Sequence, residues 1–196
     1  MDVDANFNGQ RPGPGRRDSR ALGPALGLLL ALGACSHGRQ TAFPEGTPMN
    51  ELGVKNLVIV DERVATAGRL TPAQFDAMAG AGYRHLISLR EKRELQAGWE
   101  EERAQQAGVD FVRIEVGGAG DLDEAHARQL GEALARAGEA TLVYCRSGQR
   151  AGALLALERH FVGGLAPSDA LAIGRKAGMG GAEPAVRKVM GLPASD

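Results

Sequence analysis

The stretch TLVYCRSGQRAGALLALE, residues 141–158, joins an apolar run, a cysteine, a short polar loop and the beginning of a helical pattern. The run that ends at Cys145 is almost wholly apolar, as is typical of a central strand covered on both faces. Because the helical pattern follows the loop directly, the stretch predicts a strand–loop–helix unit. Ligands of α/β proteins bind where the carboxyl end of such a strand meets the amino end of the helix.

Short β-prone runs and helical segments alternate on the amino-terminal side of this stretch. NLVIV and RVATAG predict an opening hairpin, and HLISL and DFVRIEV predict two further strands. A polar helix is expected over ELQAGWEEERAQQAG, with Trp99 as its main apolar anchor. Strands that alternate with helices in this way predict an α/β fold, a three-layer sandwich with a mostly parallel central sheet.

Two sets of cap residues predict where helices begin. Thr71 precedes Pro72 and is followed by Gln74, which is the pattern of a capping box with proline at the first helical position. Asp121 with Glu124 is expected to cap the helix over LDEAHARQLGEALARAG.

The loop after the predicted central strand has the composition of an anion site. The backbone amides of residues 146–150 and the amino end of the helix present partial positive charge, and Arg150 adds a bidentate cation. Gly148 permits a backbone angle that most residues avoid. This environment favours the thiolate form of Cys145, which could attack an oxyanion substrate or carry a persulfide. The alternative is a buried structural cysteine followed by a surface turn.

Residues 1–34 have the pattern of an export signal. The basic segment GRRDSR precedes the apolar segment ALGPALGLLLALGA, which is too short for a membrane-spanning helix. The sequence LGAC, which ends at Cys35, resembles the lipobox of bacterial lipoproteins; this implies cleavage before Cys35 and a lipid on that residue. An ordinary secretory signal and an uncleaved apolar anchor are the alternatives.

The lipoprotein resemblance implies a periplasm-facing, lipid-anchored protein, and Ser36 favours the outer membrane. We therefore expect a signal peptide at 1–34, a flexible tether at 35–53 and one folded domain at 54–196. If Cys35 carries lipid, Cys145 is a solitary thiol in an oxidising compartment, so it must be deeply buried or used in chemistry.

The remaining composition argues against several classes of ligand. A formal net charge of -1 with 24% charged residues shows no bias toward nucleic acid. His126 has no His, Asp or Cys at metal-ligand spacing, and His37, His85 and His160 are scattered. We therefore expect no metal and no cofactor, and the oligomeric state is left open.

The loop CRSGQR resembles the Cys-x4-Arg loop of rhodaneses, but Ser88 stands where a rhodanese would have aspartate. The segments VATAGRLTPAQFDAMAGAGYRHLISLR, AQQAGVDFVRIEVGG and LVYCRSGQRAGALLAL, in this order, better resemble the phosphatase-like domain of beta-lactamase-hydrolase-like (Blh) proteins. That family is a branch of the protein tyrosine phosphatase-like superfamily. The resemblance implies a dual-specificity or tyrosine-phosphatase-like fold with Cys145 as nucleophile and Arg150 as anion clamp. It also implies that the backbone of four residues cradles the oxyanion: Arg146, Ser147, Gly148 and Gln149.

The sequence departs from conventional tyrosine phosphatases around this loop. Four residues rather than five separate Cys145 from Arg150, Tyr144 replaces a histidine, and Ala151 replaces the serine or threonine that helps the thiolate leave. By resemblance, Asp121 or Asp123 would supply the general acid, although a helix cap explains either residue as well. Arg90 closes a predicted central strand and either lines the pocket or ends the strand in solvent.

The residues and the resemblance together predict a cysteine-dependent phosphatase-like hydrolase that acts on a small anionic or phosphorylated substrate. Two other functions remain open. The shorter loop and Ala151 favour a rhodanese-like sulfur transferase with a persulfide on Cys145. The unassigned general acid favours an anion-binding module with little or no turnover.

Overall fold

Five strands form a single sheet in the computed structural model, which describes residues 52–138 and 140–194. They are β1 (Val58–Ile59), β2 (Val64–Ala67), β3 (His85–Ser88), β4 (Asp110–Arg113) and β5 (Thr141–Tyr144). The spatial order is β1-β2-β5-β3-β4, with β1 and β2 antiparallel and the other pairs parallel. The opening hairpin and the mostly parallel sheet are confirmed, and β5 lies at the centre.

Helices cover both faces of the sheet. They are α1 (Pro72–Gly80), α2 (Glu100–Ala107), α3 (Glu124–Ala137), α4 (Gln149–Phe161), α5 (Pro167–Lys176) and α6 (Glu183–Val189). Successive side chains of β5 and of Cys145 after it alternate between two cores: Leu142 and Tyr144 pack with α1 and α2, whereas Val143 and Cys145 pack with the other four helices. The predicted three-layer sandwich is therefore confirmed.

The first two helices differ in how well their beginnings were predicted. The Thr71 side chain accepts from the Gln74 amide at 3.3 Å, and the Gln74 side chain accepts from the Thr71 amide at 3.0 Å, so the capping box is confirmed. Helix α2 begins only at Glu100, several residues later than expected. Gln96 adopts a φ of 62°, which a continuous right-handed helix excludes. Trp99 packs edge-on against Phe75 at 5.6 Å between ring centres.

The predicted cap of α3 was wrong. Asp123 is the N-cap, and its Oδ1 accepts from the His126 amide at 2.8 Å. Asp121 lies two residues earlier, where its Oδ2 accepts from the amides of Gly117 at 2.8 Å and Gly118 at 3.3 Å. Asp121 thus braces the loop that precedes α3 and does not cap the helix.

Some predictions fall on parts of the chain that the structure does not describe. The signal segment 1–34, Cys35 and nearly all of the tether 35–53 lie outside the described residues. Within residues 52–138 and 140–194, no helix combines the length and apolar character needed to cross a membrane.

Candidate active site

The central strand carries Cys145 to the carboxyl edge of the sheet and buries it there. All four residues of β5 are buried, and the Cys145 amide donates to the Ala67 carbonyl of the neighbouring strand at 3.2 Å. The Cys145 side chain is fully buried, and its Sγ accepts from the Gly148 amide at 3.1 Å. The sulfur therefore lies inside the turn that follows it.

Two outward hydrogen bonds fix the orientation of this turn. The Arg146 carbonyl accepts from the Arg69 amide at 3.2 Å, and the Ser147 carbonyl accepts from Asn56 Nδ2 at 2.8 Å. In a planar trans peptide, the amide that follows each carbonyl points the opposite way. The amides of Ser147 and Gly148 are thereby turned toward the Cys145 side of the loop.

The turn ends where α4 begins. Gly148 is the residue before α4 and has a φ of 91°, a left-handed value that other residues rarely adopt. The first amides of α4 have no acceptor within their own helix, and they carry the positive end of the helix dipole. Sulfur, turn amides and helix terminus thus form one electropositive loop around Cys145.

Arg150 is anchored beside this loop by four acceptors. Its Nη1 donates to Glu94 Oε1 at 2.6 Å, to the Leu89 carbonyl at 3.3 Å and to the Val116 carbonyl, while its Nη2 donates to Glu94 Oε2 at 3.0 Å. Burial lowers the pKa of Arg150, but the hydrogen bonds that it donates to Glu94 and its electrostatic interaction with Cys145 outweigh this effect and hold the pKa above its usual value. The guanidinium is therefore a fixed cation.

Glu94 is a site residue that the sequence-based prediction missed. Burial raises the pKa of Glu94, but the paired guanidinium of Arg150 outweighs this effect and holds the pKa below its usual range. Glu94 follows the carboxyl end of β3, which is the parallel neighbour of β5. Its place after a predicted strand could therefore have indicated that it lies at the same edge of the sheet as Cys145. Its bidentate pair orients Arg150 in one plane.

A cavity of about 470 Å³ opens over the loop. Arg146, Ser147, Gln149 and Arg150 contribute to its wall. The remaining lining residues come from the loops after β3 and β4 and from the turn before α6: Glu91, Glu94, Gly117, Gly118, Ala119, Leu122, Gly181 and Ala182. Three of the four predicted cradle residues and Arg150 thus line one cavity, whereas the buried Gly148 does not.

Arg90 does not end its strand in solvent: it lines a small cavity with Arg69, Glu94 and Arg146, although not the cavity over the loop. Its side chain is 2% exposed, and its Nη1 donates to Glu100 Oε1 at 2.8 Å and to the Gln96 carbonyl at 3.0 Å. Its Nη2 donates to the Leu95 carbonyl. Arg90 therefore braces the loop that carries Glu94.

Ser88, Arg113 and Glu100 complete the buried polar group around Arg90. Ser88 Oγ donates to Glu100 Oε2 at 2.9 Å, and Arg113 Nη2 lies 3.0 Å from the same oxygen. Burial raises the pKa of Glu100, although Ser88, Arg113 and Arg90 oppose that effect. This cluster fixes the β3–α2 connection, which explains why α2 begins late.

Asp121 is near the cavity but is engaged with the backbone. Its Oδ2 holds the amides of Gly117 and Gly118, both of which line the cavity. Asp123 is held at the start of α3, where hydrogen bonds from the backbone and side chain of His126 keep its pKa below the usual range. The general-acid role of Asp121 stays a prediction. The carboxylates that border the cavity are Glu91 and Glu94.

Among residues 52–138 and 140–194, His, Cys, Asp and Glu side chains form no group of three or more that could hold a metal ion.

Residues 56–161, more than half of the chain, match the family described as "Beta-lactamase hydrolase-like protein, phosphatase-like domain". The beta-lactamase hydrolase-like proteins of two Xylella fastidiosa strains are 32% identical to the chain over 126 residues. This match covers 62% of the present chain but only 29% of the Xylella proteins.

Solved structures with the same fold include phosphatases. A DUF442 protein from Shewanella putrefaciens CN-32 has a TM-score of 0.57 at 21% identity, over 72% of this chain and 95% of that chain. TpbA of P. aeruginosa has a TM-score of 0.54 at 19% identity, over 79% and 95%. Kinase associated phosphatase has a TM-score of 0.54 at 15% identity, over 68% and 89%. These likenesses establish a fold shared with protein tyrosine phosphatases.

Proposed function

The chain belongs to the family of the beta-lactamase hydrolase-like protein phosphatase-like domain, and from this membership we propose that it hydrolyses phosphate monoesters with a cysteine nucleophile. One observation carries the proposal: Cys145 Sγ lies 3.1 Å from the Gly148 amide at the carboxyl end of the central strand. Arg150 is fixed beside it by Glu94. A thiolate, inward amides and a fixed guanidinium are what attack on a phosphoryl group requires.

The reaction proceeds in two displacements. The Cys145 thiolate forms a bond to phosphorus, and the ester oxygen leaves with the bonding electron pair and takes up a proton. Water then attacks the phosphocysteine, which releases inorganic phosphate and restores the thiolate. The loop amides and Arg150 neutralise the charge on the phosphoryl oxygens in both steps.

The proton for the leaving oxygen must come from an acid at the cavity. Asp121 is the candidate by family resemblance, but its Oδ2 accepts two backbone amides. Aryl phosphates need this help least, because a phenolate is a better leaving group than an alkoxide. TpbA has been solved as a variant in complex with phosphotyrosine, an aryl phosphate. We therefore propose small aryl phosphates as the first substrates to test.

The test compares the purified protein with its Cys145→Ser variant on para-nitrophenyl phosphate. The proposal expects phosphate release by the wild type and a loss of at least about a thousandfold in the variant. A folded Cys145→Ser protein, verified by circular dichroism, that retained wild-type release would overturn the proposed nucleophile.

Sulfur transfer is a second candidate, favoured by the four-residue spacing between Cys145 and Arg150 and by Ala151. In that reaction the Cys145 thiolate takes the outer sulfur of thiosulfate, sulfite leaves, and a thiol acceptor removes the sulfur from the persulfide. The same two proteins are therefore incubated with thiosulfate and an acceptor thiol. Transfer without phosphatase activity would assign the chain to this class. If neither reaction occurs while phosphate still raises the melting temperature, the loop is an anion-binding module.

A further inference from the structure

Three cations surround a second cavity beside the active-site loop. Lys55, Arg69 and Arg146 are all exposed, and with Ser147 they line a cavity of about 440 Å³. We call these three residues the basic rim. The phosphatase reaction described above uses only Arg146 of this set.

Backbone hydrogen bonds hold the basic rim together. The Gly68 amide donates to the Lys55 carbonyl at 2.7 Å, and the Arg69 amide donates to the Arg146 carbonyl at 3.2 Å. Gly68 also forms an isolated antiparallel bridge with Ser147. The segment before β1, the end of β2 and the active-site loop are thus joined by backbone hydrogen bonds. These bonds fix the backbone positions of the three cationic residues relative to one another.

The charge of the basic rim is uncompensated within residues 52–138 and 140–194. No carboxylate there forms an ion pair with Lys55, Arg69 or Arg146, although arginines elsewhere do. Glu94 lines a small neighbouring cavity with Arg69 and Arg146, but both of its oxygens bind Arg150, at 2.6 and 3.0 Å. Three unpaired cations beside one cavity attract an anion.

This second cavity is contiguous with the active site. Arg146 and Ser147 line both the 470 Å³ cavity over the loop and the 440 Å³ cavity of the basic rim. The basic rim therefore lies next to the space that a molecule would occupy with its phosphate in the loop. Because the rim is a compact group of three cations, it suits one small anionic group better than an extended polyanion.

We propose that the preferred substrate carries a second anionic group, a phosphate or a carboxylate, which the basic rim binds while the first phosphate lies in the Cys145 loop. This proposal rests on the proposed phosphatase function. It narrows the substrate class from phosphate monoesters in general to compact monoesters that carry a second anionic group.

The kinetic test compares substrates that differ only in the second group. They are phenyl phosphate, meta-phenylene bisphosphate, ortho-phenylene bisphosphate, meta-carboxyphenyl phosphate and, as the neutral control, meta-methoxyphenyl phosphate. In the wild type, kcat/KM is expected to be highest for a substrate with a second anion. In Lys55→Gln and Arg69→Gln, the ratio of that kcat/KM to the value for the methoxy compound should fall about fivefold each. A preference limited to the bisphosphates identifies the second group as phosphate; one shared by the carboxylate identifies a general anion site.

Arg84→Gln is the matched control, because Arg84 is exposed and precedes β3, at the opposite edge of the sheet. It changes the net charge equally but should leave the ratio unaltered. An unaltered ratio in the rim variants, or an equal fall in Arg84→Gln, would overturn the proposal, the latter because it would indicate only a long-range field.

A binding measurement separates this proposal from the proposed reaction. Calorimetry on Cys145→Ser should give tighter binding of the preferred substrate with a second anionic group than of the methoxy compound, and adding Arg69→Gln should reduce that preference about fivefold. If the preference is present although the wild type hydrolyses nothing, the rim site stands and the phosphatase proposal fails. If hydrolysis occurs without any preference, the phosphatase stands and the rim site is rejected.

Discussion

Arg150 contributes to the active site only because its guanidinium is held in one orientation. Glu94 binds it through both oxygens, and the carbonyls of Leu89 and Val116 accept from the same side chain. The Arg150 and Glu94 side chains are 14% and 17% exposed, so their pair is screened less than a surface ion pair. A bidentate pair of this kind supplies geometry as well as charge.

At this residue scale, Glu94→Gln is expected to lower the free energy of unfolding by about 2 kcal/mol, because a neutral amide replaces the carboxylate that pairs with the largely buried Arg150 guanidinium. The pKa of Glu94 is depressed in the folded protein, so its contribution is present above the usual carboxyl range and is lost as pH falls through the depressed value. Urea denaturation should therefore give a difference in the free energy of unfolding between wild type and variant at neutral pH, and this difference should become smaller as the pH falls. Glu124→Gln, which breaks the exposed pair with Arg128, is the control and should have little effect. A difference in the free energy of unfolding that stayed constant with pH would contradict the stabilising role of the Glu94 carboxylate.

Gly148 offers a second test at the level of one residue. Gly148→Ala places an ordinary side chain at a φ of 91°, which costs about 1 kcal/mol, and strains the turn whose amide donates to Cys145 Sγ. We expect kcat/KM for para-nitrophenyl phosphate to fall about tenfold or more. Gly164→Ala is the matched control for Gly148→Ala, because Gly164 also has a positive φ, 70°, and has open space around it. It should lose similar stability without losing activity; equal losses of activity would show that strain alone explains the result.

At the scale of elements, sequence patterns predicted what local contacts determine. The α1 capping box involves only residues that are close along the chain. The apolar run of β5 indicates by itself that both faces of the strand are covered. The late start of α2 was not predictable in this way. It depends on Arg90, whose side chain binds the carbonyls of Leu95 and Gln96. Likewise, aspartate is a favourable N-cap residue, so residue type does not distinguish Asp121 from Asp123. Only the path of the preceding loop determines which of them caps α3.

Helix α4 lies very close to the turn after α5, and this contact depends on Gly152. A Cβ at Gly152 would lie 2.6 Å from the Met179 nitrogen and 2.8 Å from the Ala177 oxygen, both of which are backbone atoms. Gly152→Ala should therefore lower the free energy of unfolding by about 2 kcal/mol. Gly80→Ala should instead raise it by about 0.5 kcal/mol, because Gly80 ends α1 with no atom within 4 Å of a Cβ. Thermal denaturation of both variants decides the point; an unchanged melting temperature in Gly152→Ala would contradict the close approach.

At the scale of the whole molecule, the active edge collects residues that are distant in sequence. Cys145 and Arg150 were predictable because one short loop contains both. Glu94 is separated from Arg150 by 56 residues and reaches it only because β3 lies next to β5 in parallel. The basic rim likewise combines residues near β1, at the end of β2 and after β5. Sheet order, which the sequence pattern left open, therefore decides which charges meet.

We propose that lipid on Cys35 anchors the molecule at the membrane, with the phosphatase-like domain facing the periplasm. A basic segment, a short apolar segment and LGAC follow one another in this order before a polar stretch, which is the pattern of an export signal with a lipidated cysteine. In a bacterial host, the full chain should incorporate radiolabelled palmitate and sediment with membranes, whereas Cys35→Ala should lose the label. Cys145→Ala is the matched control and should keep it. Retention of label by Cys35→Ala would reject lipidation at that residue. An unlabelled, soluble and shortened wild type would indicate an ordinary secretory signal, and an unlabelled, membrane-bound wild type of full length would indicate an uncleaved apolar anchor.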